Sequence, residues 1–155
     1  TLKNDEEEGP WVHYWENGQL KFKGTFKDGK KEGPWVRYWD NGQLWSKATF
    51  KDGKREGPRV DYHENGQVMF KGIFKDGKMD GPYVFYYRNR QLETKGTYKD
   101  DKTDGPYVSY HDNGQFRAKG TLKDGMREGP WVDYKKDGTV WEKYTGTYKD
   151  GVKVK

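Results

Sequence analysis

All six prolines of this 155-residue chain stand in Gly-Pro pairs, at Pro10, Pro34, Pro58, Pro82, Pro106 and Pro130, and the interval is 24 every time. A valine follows two positions after each proline (Val12, Val36, Val60, Val84, Val108, Val132). A tyrosine follows two further on (Tyr14, Tyr38, Tyr62, Tyr86, Tyr110, Tyr134). The unit reads Gly-Pro-aromatic-Val-x-Tyr-x-x-Asn-Gly-Gln-Leu-x-x-Lys-Gly-Thr-Phe-Lys-Asp-Gly-Lys-x-Glu. All 21 glycines fall on four phases of it once an insertion in the last unit is allowed for. Self-similarity at a fixed short period outranks any local reading, because it is the signature of a repeat architecture.

Each unit holds two short segments of period-2 patterning, split by Asn-Gly and closed by Asp-Gly. These dipeptides are the strongest short hairpin signals, since Asn and Gly tolerate positive φ. Aromatics, Val and Thr fill the segments between them, as strands prefer. No stretch has helical periodicity long enough to compete. The spacing predicts an all-β chain: an elongated, single-layer antiparallel sheet of six successive 24-residue β-hairpin repeats. In the first unit the strands run over about Trp11 to Trp15 and Gln19 to Lys27.

Register decides which side chains share a face. A three-residue loop at Glu16-Asn17-Gly18, with Gly18 left-handed, sets Trp15 opposite Gln19, Tyr14 opposite Leu20 and Val12 opposite Phe22. Val12, Tyr14, Leu20, Phe22, Gly24 and Phe26 then share a buried face. Trp11, His13, Trp15, Lys21, Lys23, Thr25 and Lys27 share the other. A two-residue type I′ loop would instead pair Trp15 with Leu20 and put Val12 and Tyr14 among the lysines. The first register is favoured because it gathers the least varying positions on one side. Gly24, Gly72, Gly96 and Gly120 would leave gaps for neighbouring rings to cover, and Ala48 fills the same phase in the second unit.

Three departures from the period stand out. Arg90 and Asp101 replace turn glycines in the fourth unit, which should loosen both turns. Gly138 to Gly146 spans eight positions where Gly18 to Gly24 spans six, altering the last hairpin; terminal units of repeat arrays are often atypical caps. Thr1-Leu2-Lys3-Asn4-Asp5 matches Thr25-Phe26-Lys27-Asp28-Gly29, so the chain is expected to start inside an earlier unit and to be part of a longer protein. The expected organisation is one repeat domain over 1–155. A partial unit covers 1–8, and repeats cover 9–32, 33–56, 57–80, 81–104, 105–128 and 129–155.

Composition agrees with a thin structure. Only 30 % of residues are apolar and 35 % are charged, yet 17 % are aromatic. An ordinary domain is nearly half apolar, so a thick core is excluded, whereas disordered chains are poor in rings. No run approaches the roughly 20 apolar residues of a helical membrane span. The absence of cysteine rules out disulfides and thiolate chemistry, and fits either redox compartment.

Catalysis is not expected, and neither is a metal or other cofactor. His63 and His111 share a phase two units apart, roughly 19 Å at the strand spacing of a flat sheet, and His13 lies on another phase. Carboxylates pair at turns, as Asp28 with Glu32 or Asp52 with Glu56. A turn on a sheet edge lacks the contrasting environments that split two pKa values for acid–base work. Interleaved lysines oppose calcium there.

Two repeated columns could bind something. Lys23, Lys47, Lys71, Lys95 and Lys119 form one line, and Lys27, Lys51, Lys75, Lys99, Lys123 and Lys149 another. Such stripes suit an anionic membrane or serve as solubilising edge protection. With 25 carboxylates against 30 lysines and arginines, nucleic acid is a poor candidate. The second column is aromatic and varies between units: Trp11, His13 and Trp15; Trp35, Arg37, Trp39 and Trp45; Tyr83, Phe85 and Tyr87. Variation on one regular face is what a recognition surface would show, and Trp, Tyr and Arg anchor interfaces. The plainer reading is rings stacking along adjacent strands to hold a single-layer sheet together. Arg37 and Trp45 are expected to form a cation–π pair.

The segments Gly-Pro-Trp-Val-x-Tyr-x-x-Asn-Gly-Gln-Leu and Lys-Asp-Gly-Lys-x-Glu-Gly resemble MORN repeats, in the variant common in bacterial proteins, over essentially the whole chain. The resemblance implies a sheet of successive hairpins, often assembled edge to edge, with a scaffolding or partner-binding role. It implies no catalytic residues. Bacterial members are frequently described as antitoxin components, which suggests a toxin-neutralising role. The expected function is therefore a non-catalytic scaffold presenting its aromatic and basic side chains to a protein partner. Homodimers or filaments through edge strands are expected, and a lysine-column adaptor for anionic lipid headgroups is the competing class.

Overall fold

The computed structural model describes residues 2–3 and 6–155. Every regular element among them is a β-strand. The chain divides into two units, residues 1–78 and 79–155.

In the first unit β1 (Leu2–Lys3) pairs with β2 (Glu6–Glu7). Of the partial unit expected at residues 1–8, Thr1, Asn4 and Asp5 lie outside the described residues. Then follow β3 (Gly9–Tyr14), β4 (Leu20–Lys27), β5 (Lys30–Tyr38), β6 (Leu44–Lys51), β7 (Lys54–Tyr62) and β8 (Val68–Lys75), each antiparallel to the next. The two-residue β9 (Lys78–Met79) contains the boundary. In the second unit β10 (Gly81–Tyr86), β11 (Leu92–Lys99), β13 (Gly105–Tyr110), β14 (Phe116–Lys123), β15 (Met126–Asp133), β16 (Gly146–Lys149) and β17 (Val152–Lys153) are ordered the same way. There β12 (Lys102–Thr103) pairs with the end of β11. Each unit is an open antiparallel sheet of consecutive hairpins.

Both turns of the repeat form where the dipeptides predict. At the Asn-Gly turn Trp15 N donates to Gln19 O (2.7 Å) and Gly18 N to Trp15 O (2.9 Å), with Gly18 at φ 83°. This is the three-residue loop with a left-handed glycine. At the Asp-Gly turn Asp28 and Gly29 are both left-handed (φ 49° and 72°), and Lys27 faces Lys30. That is the I′ geometry that matches strand twist.

The register inside the hairpin departs from expectation by one residue. Tyr14 faces Leu20 as expected, but a β-bulge then skips Lys21, so His13 faces Phe22, Val12 faces Lys23 and Trp11 faces Gly24. The bulge recurs at Arg37/Tyr38 and Asp61/Tyr62, and in the second unit at Phe85/Tyr86 and Ser109/Tyr110. One extra residue exchanges the faces of everything beyond it.

The expectation that the valine and tyrosine set is buried together with Phe22 and Phe26 is thereby overturned. Val12 is 47 % and Tyr14 64 % exposed, beside the lysines. The buried side is instead the variable one. Trp11 and His13 join Phe22, Gly24 and Phe26, and Trp35 is only 6 % exposed. Ring area explains the outcome. An aromatic side chain buries 150–250 Å² or so, which at about 25 cal/mol per Å² outweighs a valine in the same place.

Such a core is one side chain deep, and small residues make it possible. The Trp35 ring lies over Gly24, Phe70 over Gly72, Tyr83 over Gly96 and Trp131 over Gly120. Ala48, which is buried, faces Trp35 across the hairpin. The gap-covering role expected of these positions is what the structure shows.

Side chains also tie each hairpin to its neighbour. Asn17 donates to Asp40 O (2.7 Å) and Asn41 to Glu64 O (3.2 Å). In the second unit Asn89 donates to Asp112 O and Asn113 to Lys136 O, both at 2.9 Å. At the opposite turns Asp28 N donates to Glu8 Oε2, Asp52 N to Glu32 Oε2 and Asp76 N to Glu56 Oε2, at 2.8 to 2.9 Å. The repeated glutamate is thus a turn cap for the next hairpin and does not pair with the aspartate of its own turn.

The irregular units are accommodated. Arg90 (φ 71°) and Asp101 (φ 67°) take the left-handed conformation of the glycines they replace. Their turns close with the usual bonds, Arg90 N to Tyr87 O (3.0 Å) and Asp101 N to Met79 O (2.9 Å). The turns are strained and not opened. The insertion in the last unit folds into a turn at Trp141–Tyr144, after which β16 regains its pairing with β15.

Candidate binding face

The bulge fixes the chemistry of the ring-bearing face in residues 1–78. Trp11 stacks on His13 (5.8 Å between centroids, 6° between planes) and His13 on Phe22 (4.5 Å). Phe26 meets both Trp11 (5.4 Å) and Trp35 (5.1 Å) edge-on. Trp39 stacks on Trp45 at 4.5 Å. Cations cap these rings: Lys21 lies 4.4 Å from the Trp15 centroid, Lys31 4.5 Å from Trp35 and Arg37 5.9 Å from Trp45. The Arg37–Trp45 pair read from the sequence is present.

All seven aromatic and basic candidates of this unit lie on the one face, but they do different work. Trp35 is floor, buried beneath its neighbours. Trp15 and Trp39 use their indole N–H groups as staples, to Tyr38 O (3.2 Å) and Tyr62 O (3.3 Å). Trp11, His13, Arg37 and Trp45 are left with accessible surface. Trp11, His13, Phe22 and Arg37 border a groove of about 270 Å³. Trp11 Nε1 has no acceptor among the described residues; the equivalent indoles of Trp35 and Trp131 donate ten residues back, to Thr25 O and Thr121 O.

In residues 79–155 Tyr83 is 4 % exposed and packs on Tyr98 (4.6 Å) and Phe85 (5.9 Å). Burial first, then Tyr98 and Tyr107, push its hydroxyl up to about 12. Tyr87 Oη donates to Tyr110 O (2.8 Å), and His111 Nε2 lies 3.0 Å from Tyr134 O. These occupy the staple phase of Trp15 and Trp39. His111 is therefore a link between hairpins.

The lysine column lies on the opposite face. Lys23, Lys47 and Lys71 face Val12, Val36 and Val60, and in the second unit Lys95 and Lys119 face Val84 and Val108. All five are exposed. Sequence reasoning had placed this column beside the tryptophans; the bulge separates them.

Sequence reasoning missed charged groups on the ring-bearing sides: Lys31 and Arg55 in residues 1–78, and Arg127 and Asp133 in residues 79–155. Their signal lay in the unspecified position of Lys-x-Glu and the positions flanking the valine, where charge type changes from unit to unit. Asp61 is held by Arg59 (Nη2–Oδ2 2.7 Å) and accepts from Ser46 Oγ (2.6 Å). Arg127 forks onto Asp133 (2.7 and 2.8 Å) while lying 4.2 Å over Trp131. The hydrogen bond to Asp133 raises Arg127 above its ordinary range. Among the described residues no group of three His, Asp or Glu stands close enough to hold a metal ion. What the face offers is contact chemistry: rings, cations and two internally paired carboxylates.

Four successive blocks, residues 7–28, 31–52, 55–76 and 79–100, match the family model described as MORN repeat variant. No match was found among curated proteins. The matched blocks cover more than half the chain and coincide with the observed hairpin period. The chain belongs to the MORN-repeat family, in its variant form, a non-catalytic repeat type whose members serve as binding and scaffold modules.

Proposed function

We propose that this chain is a scaffold that presents the ring-and-cation face of residues 1–78 to a protein partner. The observation that carries the reading is a groove bordered by Trp11, His13 and Arg37 over the buried ring of Trp35, continued by a neighbouring hollow in which Arg37 lies against Trp45. Aromatic and arginine anchors on a rigid support are what dominates protein interfaces. The finer form of the proposal is an antitoxin-type role, in which the partner is a toxin held inactive.

Affinity capture from the native source tests this. Wild type should retain one protein that Trp45→Ala releases and that the triple change Lys23→Ala, Lys47→Ala, Lys71→Ala keeps. Capture insensitive to Trp45 would sink the reading.

A membrane-surface adaptor is the second reading, favoured by the exposed Val12, Tyr14 and Ile73 beside the exposed lysines. It requires binding to anionic vesicles that disappears in high salt and in the lysine triple variant. β3 ends the strand order of the first unit, and pairing of that edge with a second copy is the proposed route to homodimers, which a sizing measurement checks.

A further inference from the structure

Strand β15, which runs from the fifth repeat into the sixth, shows how this scaffold holds a carboxylate. Arg127 lies over Trp131 and grips Asp133 with both guanidinium nitrogens. One period is 24 residues, so β5 places Lys31 where Arg127 stands, Trp35 where Trp131 stands and Arg37 where Asp133 stands. The cation and the ring are kept, but the carboxylate is replaced by a second cation.

Strand β7 adds to this. Arg55 lies over Phe50 (5.8 Å) and Phe74 (5.5 Å), and Arg59 over Phe70 (6.0 Å). Its carboxylate, Asp61, is already taken by Arg59 and Ser46. Lys31, Arg37, Arg55 and Arg59 thus line one hollow of about 60 Å³ with Trp35 and Trp45. Among the described residues, no carboxylate lies within ion-pair distance of Lys31, Arg37 or Arg55.

Burial first, and the neighbouring cations after it, disfavour the protonated forms here. Burial lowers Lys31, and Arg37 and Arg55 lower it further; burial lowers Arg55, and Arg59 and Arg37 add to that. Glu7 and Asp61 oppose these effects and are the weakest contributors. Cations held close together over rings carry a standing electrostatic cost that an incoming anion would remove.

We infer that the Lys31–Arg37–Arg55 hollow is a docking site for the carboxylates of an acidic segment of a protein partner, filling the place that Asp133 fills in the sixth repeat. The inference rests on the reading of this face as protein-binding and names the chemistry of what it binds. Charge and size select the occupant: the hollow admits a carboxylate between flanking rings, whereas a flat lipid surface would meet the opposite, lysine-bearing face first.

The test titrates the whole chain with hexaglutamate, followed by tryptophan fluorescence and calorimetry. Saturable binding is expected, weakened about tenfold or more by Arg37→Gln with Arg55→Gln. Arg37→Lys should retain most of it, and the triple change Lys23→Ala, Lys47→Ala, Lys71→Ala should alter it less than twofold. Because the double Gln variant relieves like-charge repulsion, it should melt no lower than wild type. The inference is overturned by absence of saturable binding, by equal loss in the lysine variant, or by lost binding accompanied by a lower melting temperature. It is equally overturned if phosphatidylserine vesicles, and not hexaglutamate, bind in a manner that depends on Arg37 and Arg55. Failure here removes the carboxylate site alone; Trp45-dependent capture is a separate measurement, and its failure removes the broader reading.

Discussion

The indole of Trp35 occupies the space above Gly24 where a β-carbon would stand, one hairpin's second strand roofed by the next hairpin's first. The glycine is needed for clearance, since its backbone is not left-handed. Gly24→Ala should therefore destabilise the protein by about 1–3 kcal/mol, the range for overpacking a filled site. Adding Trp35→Phe should recover part of the loss, a coupling that a double-mutant cycle in urea would read. Simple additivity of the two changes would contradict the contact.

The glutamate of Lys-x-Glu acts at a distance of 20 residues. Asp52 N donates to Glu32 Oε2 at 2.9 Å. Glu32→Ala should cost about 1 kcal/mol, typical of one hydrogen bond of this kind. Glu32→Gln keeps an acceptor and should cost less. Equal losses in the two variants would show that charge and not hydrogen bonding is what Glu32 supplies.

The strained turns of the fourth repeat predict a gain. Arg90 sits at φ 71°, which costs a side-chain-bearing residue about 1–2 kcal/mol. Arg90→Gly should raise stability by a fraction of that, because glycine also loosens the unfolded chain. Asp101→Gly should gain less, since Asp101 Oδ1 accepts a bond from Met79 N (2.7 Å) that the change deletes. Denaturation midpoints of the two variants, compared side by side, decide the order.

Alkaline titration supplies a pH signature. Tyr83 is raised from 10.0 to about 12 in the folded protein, by burial first. The folded state holds this proton more tightly than the unfolded state does. The associated stability is complete below pH 10.0 and is lost progressively as pH rises towards about 12. Tyr83→Phe should flatten that part of the stability curve and remove a late-ionising phenol that the wild type shows in an ultraviolet titration.

Two ion pairs of similar length should differ sharply. Asp133 is 8 % exposed and bonded by both Arg127 nitrogens, so Arg127→Ala should cost about 3 kcal/mol by stranding a buried carboxylate. Lys136 and Asp112 also approach to 2.8 Å, but in solvent. Lys136→Ala should leave the thermal transition unmoved.

The period, the hairpins, the position of both turns and the three-residue form of the Asn-Gly loop were legible because each is a local property of the chain. The roofed glycines were legible for a similar reason, since a strand glycine among rings has few other uses. The assignment of faces was not. It turns on Lys21, one residue skipped by a bulge just inside a correctly read loop. Nothing in the alternation of Leu20 to Lys27 marks that residue, because Leu20 and Phe22 are apolar and alternate smoothly through it. What could have found it was size: the largest side chains, Trp11 and Trp35, lay on the side assigned to water. The seven candidates of residues 1–78 do share a side of their sheet, yet Trp15 and Trp39, and Tyr87 in the second unit, are staples to carbonyls, and Lys31 and Arg55 were hidden in a position that the repeat leaves unspecified.

Asn17, Asn41, Glu8 and Glu32 each complete a turn that belongs to a different hairpin. These turns do not own all of their bonds, and a cut between two such partners leaves a donor or acceptor stranded on both sides. Splicing in or excising a full multiple of the period restores every such partnership, whereas a change of any other length breaks one. A lineage built this way can alter its length only in whole steps, and each step adds a fresh set of variable positions to the ring-bearing side.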